Sequence, residues 1–171
     1  MILLVDADSL VFASCYKKRE TPDDERYFSD IADARNKFDE QFMAIVNRLE
    51  EIYNIEKVIT FNGSKGNFRK LLTNTYKANR KAAELPPLLN EMHKFVKQQY
   101  DSVYGYGVET DDMVARYWYK LSQELGRDNV MIVSIDKDYK QFPCLMYNYH
   151  YKHQVILDIS EDEAMYNFYE Q

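Results

Sequence analysis

Three short apolar runs each end on a polar side chain with oxygen donors: Ile2-Leu3-Leu4-Val5 on Asp6, Val58-Ile59-Thr60-Phe61 on Asn62, and Met131-Ile132-Val133-Ser134-Ile135 on Asp136. Runs this short and apolar, separated by long stretches of helical period, read as strands buried on both faces of a parallel sheet. Parallel neighbours need long crossover connections, which confines the chain to a helix-covered α/β sheet. In open sheets of that kind ligands bind outside the carboxyl ends of the strands, so the three terminal side chains are expected to share one site. Two more acidic groups strengthen the pattern: Glu109-Thr110-Asp111-Asp112 at the start of a helical stretch, and Asp138 just past Asp136.

The segments between the runs supply the crossovers. Residues 10–16 begin a helix or turn, and the charged stretch 17–27, with Pro22 inside it, reads as a solvated loop. Over 30–53, Ile31, Phe38, Phe42, Ile45, Leu49 and Ile52 recur near helical period, predicting a long amphipathic helix. Pro86-Pro87 interrupts a polar helical region, and 88–100 resumes with Leu89, Met92, Phe95 and Val96 on one side. After a turn at Gly105-Tyr106-Gly107, Thr110 is expected to cap a helix with Met113, Val114, Tyr117, Trp118, Leu121 and Leu125 buried, ended by Gly126. Beyond Asp138, Tyr147, Tyr149 and Tyr151 alternate with polar residues and 155–159 follows as a second extended segment, a pattern of edge or antiparallel strands. Ser160 is expected to cap a last helix over 161–169. The order β-α-β-α-α-β fits an α/β/α sandwich on a mainly parallel central sheet, and 171 residues at 46% apolar content suit one domain, 1–171.

The acids define the expected chemistry. Magnesium takes oxygen ligands and is usually held by one or two carboxylates, with water and substrate phosphate completing the shell. Bringing Asp6, Asp136, Asp138 and the group Glu109, Asp111 and Asp112 together without a cation is costly, because like charges a few Å apart resist joint ionisation. A bound ion activates water near neutral pH, and a second stabilises the departing oxygen of an in-line displacement, so phosphodiester hydrolysis needs no histidine here. Individual acids also have structural explanations: Asp111 and Asp112 suit the positive end of a helix, and Asp8 can cap the helix after the first strand. Asp6 and Asp136, each terminating an apolar run, are harder to explain that way.

Between Gly63 and Ala83 stand Lys65, Arg69, Lys70, Lys77, Arg80 and Lys81 with no acid, in a chain of net charge −6. That asymmetry gives phosphate somewhere to go, although the overall charge argues against polyanion binding by the surface as a whole. Lys77 and Arg80 at i and i+3 share a helical face, and Tyr76 offers a ring for stacking an unpaired base. The plain alternative is a solvated basic helix. His150 and His153 fall in the extended segment, where a spacing of three puts them on opposite faces and argues against a shared zinc; His93 reads as a helix-surface or partly packed residue. Cys15 and Cys144 lack the number and spacing of a disulfide framework or zinc site and read as core hydrophobes of a reduced, cytoplasmic protein. Residues 1–5 are too short for a signal peptide's apolar core, and no stretch reaches the ~20 apolar residues of a membrane span.

The sequence resembles the 5′ nuclease family: bacteriophage flap endonucleases and 5′→3′ exonucleases, the 5′ nuclease domain of bacterial DNA polymerase I and, more distantly, PIN domains. Leu4-Val5-Asp6-Ala7-Asp8-Ser9-Leu10 resembles its first strand and catalytic aspartate. Asn67-Phe68-Arg69 followed by Tyr76-Lys77-Ala78-Asn79-Arg80 is similar to its phenylalanine-arginine and tyrosine-lysine-x-x-arginine signature. Gly107-Val108-Glu109-Thr110-Asp111-Asp112 and Ser134-Ile135-Asp136-Lys137-Asp138 resemble its two acidic motifs, and all the matches run in family order. The resemblance implies a PIN-like fold with a helical arch-like region over 64–100 and hydrolysis of nucleic acid, most simply DNA, at or near a 5′ end or flap. It implies Mg2+, with Mn2+ substituting, at Asp6, Glu109, Asp111, Asp112, Asp136 and Asp138. Lys77 and Arg80 would contact the scissile phosphate beside the catalytic Asp6 and Asp136, with Arg69 and Tyr76 also on nucleic acid. A phage origin would suit the match.

Two departures accompany it. Asn62 stands where the family has an aspartate, keeping an oxygen ligand and losing a charge. Two further metal-binding aspartates and a helix-hairpin element for duplex binding fall beyond Gln171, so a C-terminal region or a partner protein is expected to supply that grip. Two rivals stay open: a non-catalytic nucleic-acid-binding domain of the same fold, and a phosphatase of the haloacid dehalogenase type, whose paired acids would follow rather than precede Ser134.

Overall fold

The computed structural model describes residues 1–17, 27–63, 85–105 and 107–170. Strands β1 (Ile2–Asp6), β2 (Lys57–Asn62), β3 (Ser102–Tyr104), β4 (Val130–Val133), β5 (Leu145–Asn148) and β6 (Val155–Asp158) form one sheet in the order β3-β2-β1-β4-β5-β6. Every neighbouring pair is parallel except β5 with β6. Helices α1 (Asp8–Ser14), α2 (Ile31–Glu50), α3 (Leu89–Gln99), α4 (Thr110–Leu125) and α5 (Glu161–Glu170) complete the expected α/β/α sandwich. Among the described residues no helix is long and apolar enough to cross a membrane.

Alternation along the central strands divides the core in two. Leu3, Val5, Met131 and Val133 pack with Val11 of α1, Phe38 and Leu49 of α2, and Met92 of α3. Leu4, Phe61, Ile132 and Met146 pack with Met113, Val114 and Trp118 of α4 and Ala164 of α5. Because both faces are buried, and each fully buried large side chain contributes about 1.5–3 kcal/mol, a one-residue slip of β1 or β4 would exchange the two layers; register is therefore firmly set. The Asp30 carboxylate caps α2 by accepting from Asp33 N at 2.9 Å, and Ser160 and Glu163 form a reciprocal capping box on α5. Gly126 ends α4 at φ +89°, a backbone conformation that other residues adopt only with strain.

From β1 the chain steps outward through β2 to β3, then α4 carries it back to β4 on the other side of β1, from which β5 continues outward. The direction of winding switches between β1 and β4. A crevice opens at the carboxyl ends of strands on either side of such a switch, and there Asp6 and the segment after β4 lie.

Several boundaries differ from the sequence reading. β4 stops at Val133; Ser134 still donates its N–H to the Tyr147 carbonyl, then its hydroxyl accepts from Asp136 N and turns the chain, leaving Ile135 and Asp136 exposed. Thr110 is the first helical residue of α4 and Glu109 its N-cap, because the Thr110 hydroxyl is committed elsewhere. Leu125 and Ile52, expected in the core, are 45% and 53% exposed at or beyond helix ends. Only Tyr147 of the three alternating tyrosines lies in a strand; residues 149–154 turn between β5 and β6, bringing the His150 and His153 rings to 5.5 Å rather than onto opposite faces. The arch-like expectation for 64–100 falls mainly on 64–84, outside the described residues, while α3 within it buries Met92 and Val96 in the core.

Candidate metal centre

Asp6 is 8% exposed, at the end of β1. Its Oδ2 accepts from the Tyr139 hydroxyl at 2.9 Å and from Ser134 Oγ at 3.5 Å, and its Oδ1 accepts from Asp8 N at 3.2 Å. Ser134 Oγ accepts in turn from Asp136 N at 3.0 Å, and Asp136 Oδ1 caps the short 3-10 turn Lys137–Gln141 by accepting from Asp138 N at 3.0 Å. One hydrogen-bonded relay thus ties the end of β1 to the loop after β4 and sets Asp6 beside Asp136. Burial pushes the Asp6 carboxyl up from 3.8 to about 7; the charges of Asp8 and Asp136 add to the rise, and the bond from Tyr139 opposes it.

Tyr139 is fully buried, and burial together with the charges of Asp6, Asp111 and Asp136 holds its phenol far above the ordinary range. It therefore remains a hydrogen donor with carboxylates from three distant segments around it. Glu109, Asp111 and Asp112, half-buried at the start of α4, bring carboxylate oxygens within 4.8 Å of one another. The N-terminal dipole of α4 favours charge there, and Asp112 N donates to Asp111 Oδ1 at 2.9 Å. Among the described residues these three are the one set of acids whose ligand atoms all lie within 4.8 Å of one another; Asp6, Asp136 and Asp138 are not members of it.

Asp8 has a role that its local sequence does not reveal. It does not cap α1, whose N-cap is Ala7; its Oδ1 accepts from Gly63 N and its Oδ2 from the Thr110 hydroxyl, both at 2.6 Å. The carboxylate thereby joins the exits of β1 and β2 to the first turn of α4 and fixes where the trio sits. His93 of α3 lies at 4.0 Å from Asp8 Oδ1, its imidazole lowered by burial against the raising influence of Asp8. Asn62 is fully buried, donating to Ser102 Oγ at 2.6 Å with its Oδ1 3.5 Å from His93 Nδ1. The expectation of Asn62 as an oxygen ligand is thus corrected: its amide serves the packing of β2, β3 and α3. Arg69, Tyr76, Lys77 and Arg80, with Lys65, Lys70 and Lys81, lie outside the described residues.

A Cβ on Gly63 would stand 2.7 Å from Asp8 Oδ2, closer than side-chain carbons approach. Gly63→Ala is expected to displace the Asp8 carboxylate and cost about 1–3 kcal/mol by urea unfolding.

The donor set suits a hard divalent cation: oxygen ligands only, in a partly exposed acidic trio. Residues 1–167 match the family described as 5′-3′ exonuclease, N-terminal resolvase-like domain. The chain belongs to this family. A 5′-3′ exonuclease of Buchnera aphidicola subsp. Schizaphis graminum is 35% identical over 101 residues, covering 55% of this chain and 33% of that protein. The bacteriophage T5 flap endonuclease, solved as a pseudo-enzyme-product complex with DNA and metal ions, superposes at a TM-score of 0.58 and 20% identity, over 91% of this chain and 56% of that one. The T5 5′-exonuclease with bound zinc superposes at 0.57 and 21% identity, over 91% and 57%. These structures share the fold. The chain spans a third of the length of the Buchnera protein and a little over half of the T5 chains.

Proposed function

We propose that this domain hydrolyses phosphodiester bonds of nucleic acid at or near 5′ ends, in the manner of a 5′→3′ exonuclease or flap endonuclease, with Mg2+ as its ion and Mn2+ as a substitute. The carrying observation is the convergence on Tyr139, at the switch between β1 and β4, of acids from the end of β1, the start of α4 and the loop after β4. Glu109, Asp111 and Asp112 would hold the ion, with Asp6, Asp136 and Asp138 bordering it directly or through water. A bound ion would supply an activated water and charge stabilisation for the phosphate. Tyr139 keeps Asp6 oriented, Ser134 sets the spacing of Asp6 and Asp136, and Asp8 anchors the start of α4. Lys77 and Arg80 would neutralise the scissile phosphate, Arg69 would add a backbone contact, and Tyr76 would stack on the terminal base. Relatives extend well beyond this domain's length, so duplex grip would come from a further region or a partner protein.

The test incubates the chain with 5′-labelled flap, nicked duplex, single-stranded DNA and RNA, with Mg2+ or Mn2+. Products bearing a 5′ phosphate are expected from at least one DNA substrate, and none in EDTA. Lys77→Ala and Arg80→Ala are each expected to lower the rate by about a hundredfold, as for loss of one donor to developing charge. Tight DNA binding without products at high protein concentration would establish the non-catalytic reading; phosphate release from small monoesters without cutting would establish a phosphatase.

A further inference from the structure

Hydrolysis at the acids makes no use of His93, yet this side chain stands where the two faces of the sheet meet at Asp8. Thr110 holds the Asp8 carboxylate from α4, which packs on one face, and His93 approaches it from α3, which packs on the other. Gly63 N, at the exit of β2, donates to the same carboxylate between them. The imidazole side chain is 19% exposed and that of Asp8 40%, a half-dry setting in which a well-placed N–H counts for more than it does in water.

The neighbours of the ring fix where its hydrogen sits. His93 Nδ1 lies 3.5 Å from Asn62 Oδ1 and 4.0 Å from Asp8 Oδ1. An ionised carboxylate only accepts, and the Asn62 amide nitrogen already donates to Ser102 Oγ at 2.6 Å, which leaves the amide oxygen toward the ring. Burial lowers the imidazole below its ordinary range, against the raising influence of Asp8, so at neutral pH and above the ring is uncharged and carries a single N–H. That hydrogen belongs on Nδ1, because on Nε2 it would leave lone pairs of three atoms facing one another. With Nδ1–H the positive end of the ring dipole points at both oxygens. It meets the oxygen of the fully buried Asn62 and adds an attraction on Asp8 Oδ1 to the two bonds that Asp8 accepts from Gly63 and Thr110.

We infer that His93 is a positioning residue of the nuclease site: its Nδ1–H steadies the Asp8 carboxylate and, through Asp8 and Thr110, the first turn of α4 that carries Glu109, Asp111 and Asp112. The consequence for catalysis rests on the nuclease reading; the effect on the ion site does not need it. Removing a group that orients metal ligands costs about 10–100-fold in affinity or activity. Asp8 keeps two bonds without His93, which places the expected loss at the low end, about tenfold.

The experiment compares His93→Asn, His93→Gln and His93→Leu in the full chain. Asparagine can put a donor where Nδ1 stands, glutamine only where Nε2 stands, and leucine at neither place. Mn2+ affinity is measured by calorimetry without DNA, kcat and KM on a 5′-labelled flap, and thermal midpoints in EDTA report folding. Mn2+ affinity and kcat are expected to fall about tenfold in the glutamine and leucine variants and to stay near wild type with asparagine, KM changing little. Long-range 1H–15N spectra of the wild-type chain should show the Nδ1–H tautomer, a readout that needs no variant to fold. Unchanged Mn2+ affinity in His93→Leu, with or without a lower thermal midpoint, overturns the inference, as does rescue by glutamine rather than asparagine or an Nε2–H ring. Mn2+ affinities in the expected order without DNA cleavage by any of the proteins would sink the nuclease reading alone. Cleavage and Mn2+ binding equal in wild type and all three variants would sink the positioning role alone.

Discussion

Asp111→Asn/Asp112→Asn is expected to reduce DNA cleavage by about a thousandfold or more, about 4 kcal/mol of transition-state stabilisation, while leaving stability within about 1 kcal/mol of wild type. Two opposing effects keep the folded state nearly neutral. The substitutions give up helix-dipole interactions of about 0.3–1 kcal/mol each at the start of α4, and they relieve repulsion among carboxylates whose oxygens lie within 4.8 Å. At the proposed ion site nothing would offset the loss, because two of the three clustered charges disappear. Steady-state rates on a 5′-labelled substrate, alongside urea unfolding in EDTA, separate the two. A large loss of stability would mean that the trio is structural.

Asp6→Asn is expected to abolish cleavage and yet stabilise the metal-free protein at pH 8. The Asp6 carboxyl is raised from 3.8 to about 7 in the folded chain, so between those values the folded state keeps a proton that the unfolded state has released. Stability in EDTA should therefore fall as pH rises from about 4 to about 7 and level off above. At 1.36 kcal/mol per unit the full shift corresponds to about 4 kcal/mol. Asparagine removes the charge, and its oxygen still accepts from Tyr139; its amide, needing acceptors in a buried place, takes back about 1–3 kcal/mol. A net gain of about 1–3 kcal/mol remains, measurable as a higher urea midpoint at pH 8 that shrinks toward pH 4. A variant less stable than wild type at pH 8 would show that Asp6 is already compensated within the protein.

Sequence alone made the sheet legible because burial on both faces leaves an apolar signature that survives without context: β1 coincides with the first run, β2 starts one residue before the second, and β4 overlaps the third. The helical face of α2 and the cap at Ser160 are readable for the same local reason. The site was only half visible. Asp6, Asp136 and the α4 acids stand out by position at strand and helix ends, but the bonds that organise them span the chain: Tyr139 to Asp6 across 133 residues, Thr110 to Asp8 across 102, and Gly63 to Asp8 across 55. No window of sequence couples such pairs, so Asp8 and Thr110 read as helix caps and nothing local gives Tyr139 a role beside Asp138. Asn62 misled in the opposite sense: it ends β2 as Asp6 ends β1, but it binds Ser102 and faces His93 of α3, on the face opposite Asp6.

Anomalous diffraction from crystals of the full chain soaked in Mn2+ addresses the central claim most directly. A peak within coordination distance of Glu109, Asp111 and Asp112, on the side facing Asp6 and Asp136, is the expected result, and it should vanish in Asp111→Asn/Asp112→Asn. Manganese bound elsewhere, or no peak at concentrations that support cleavage, would contradict the assignment of these carboxylates as the metal centre.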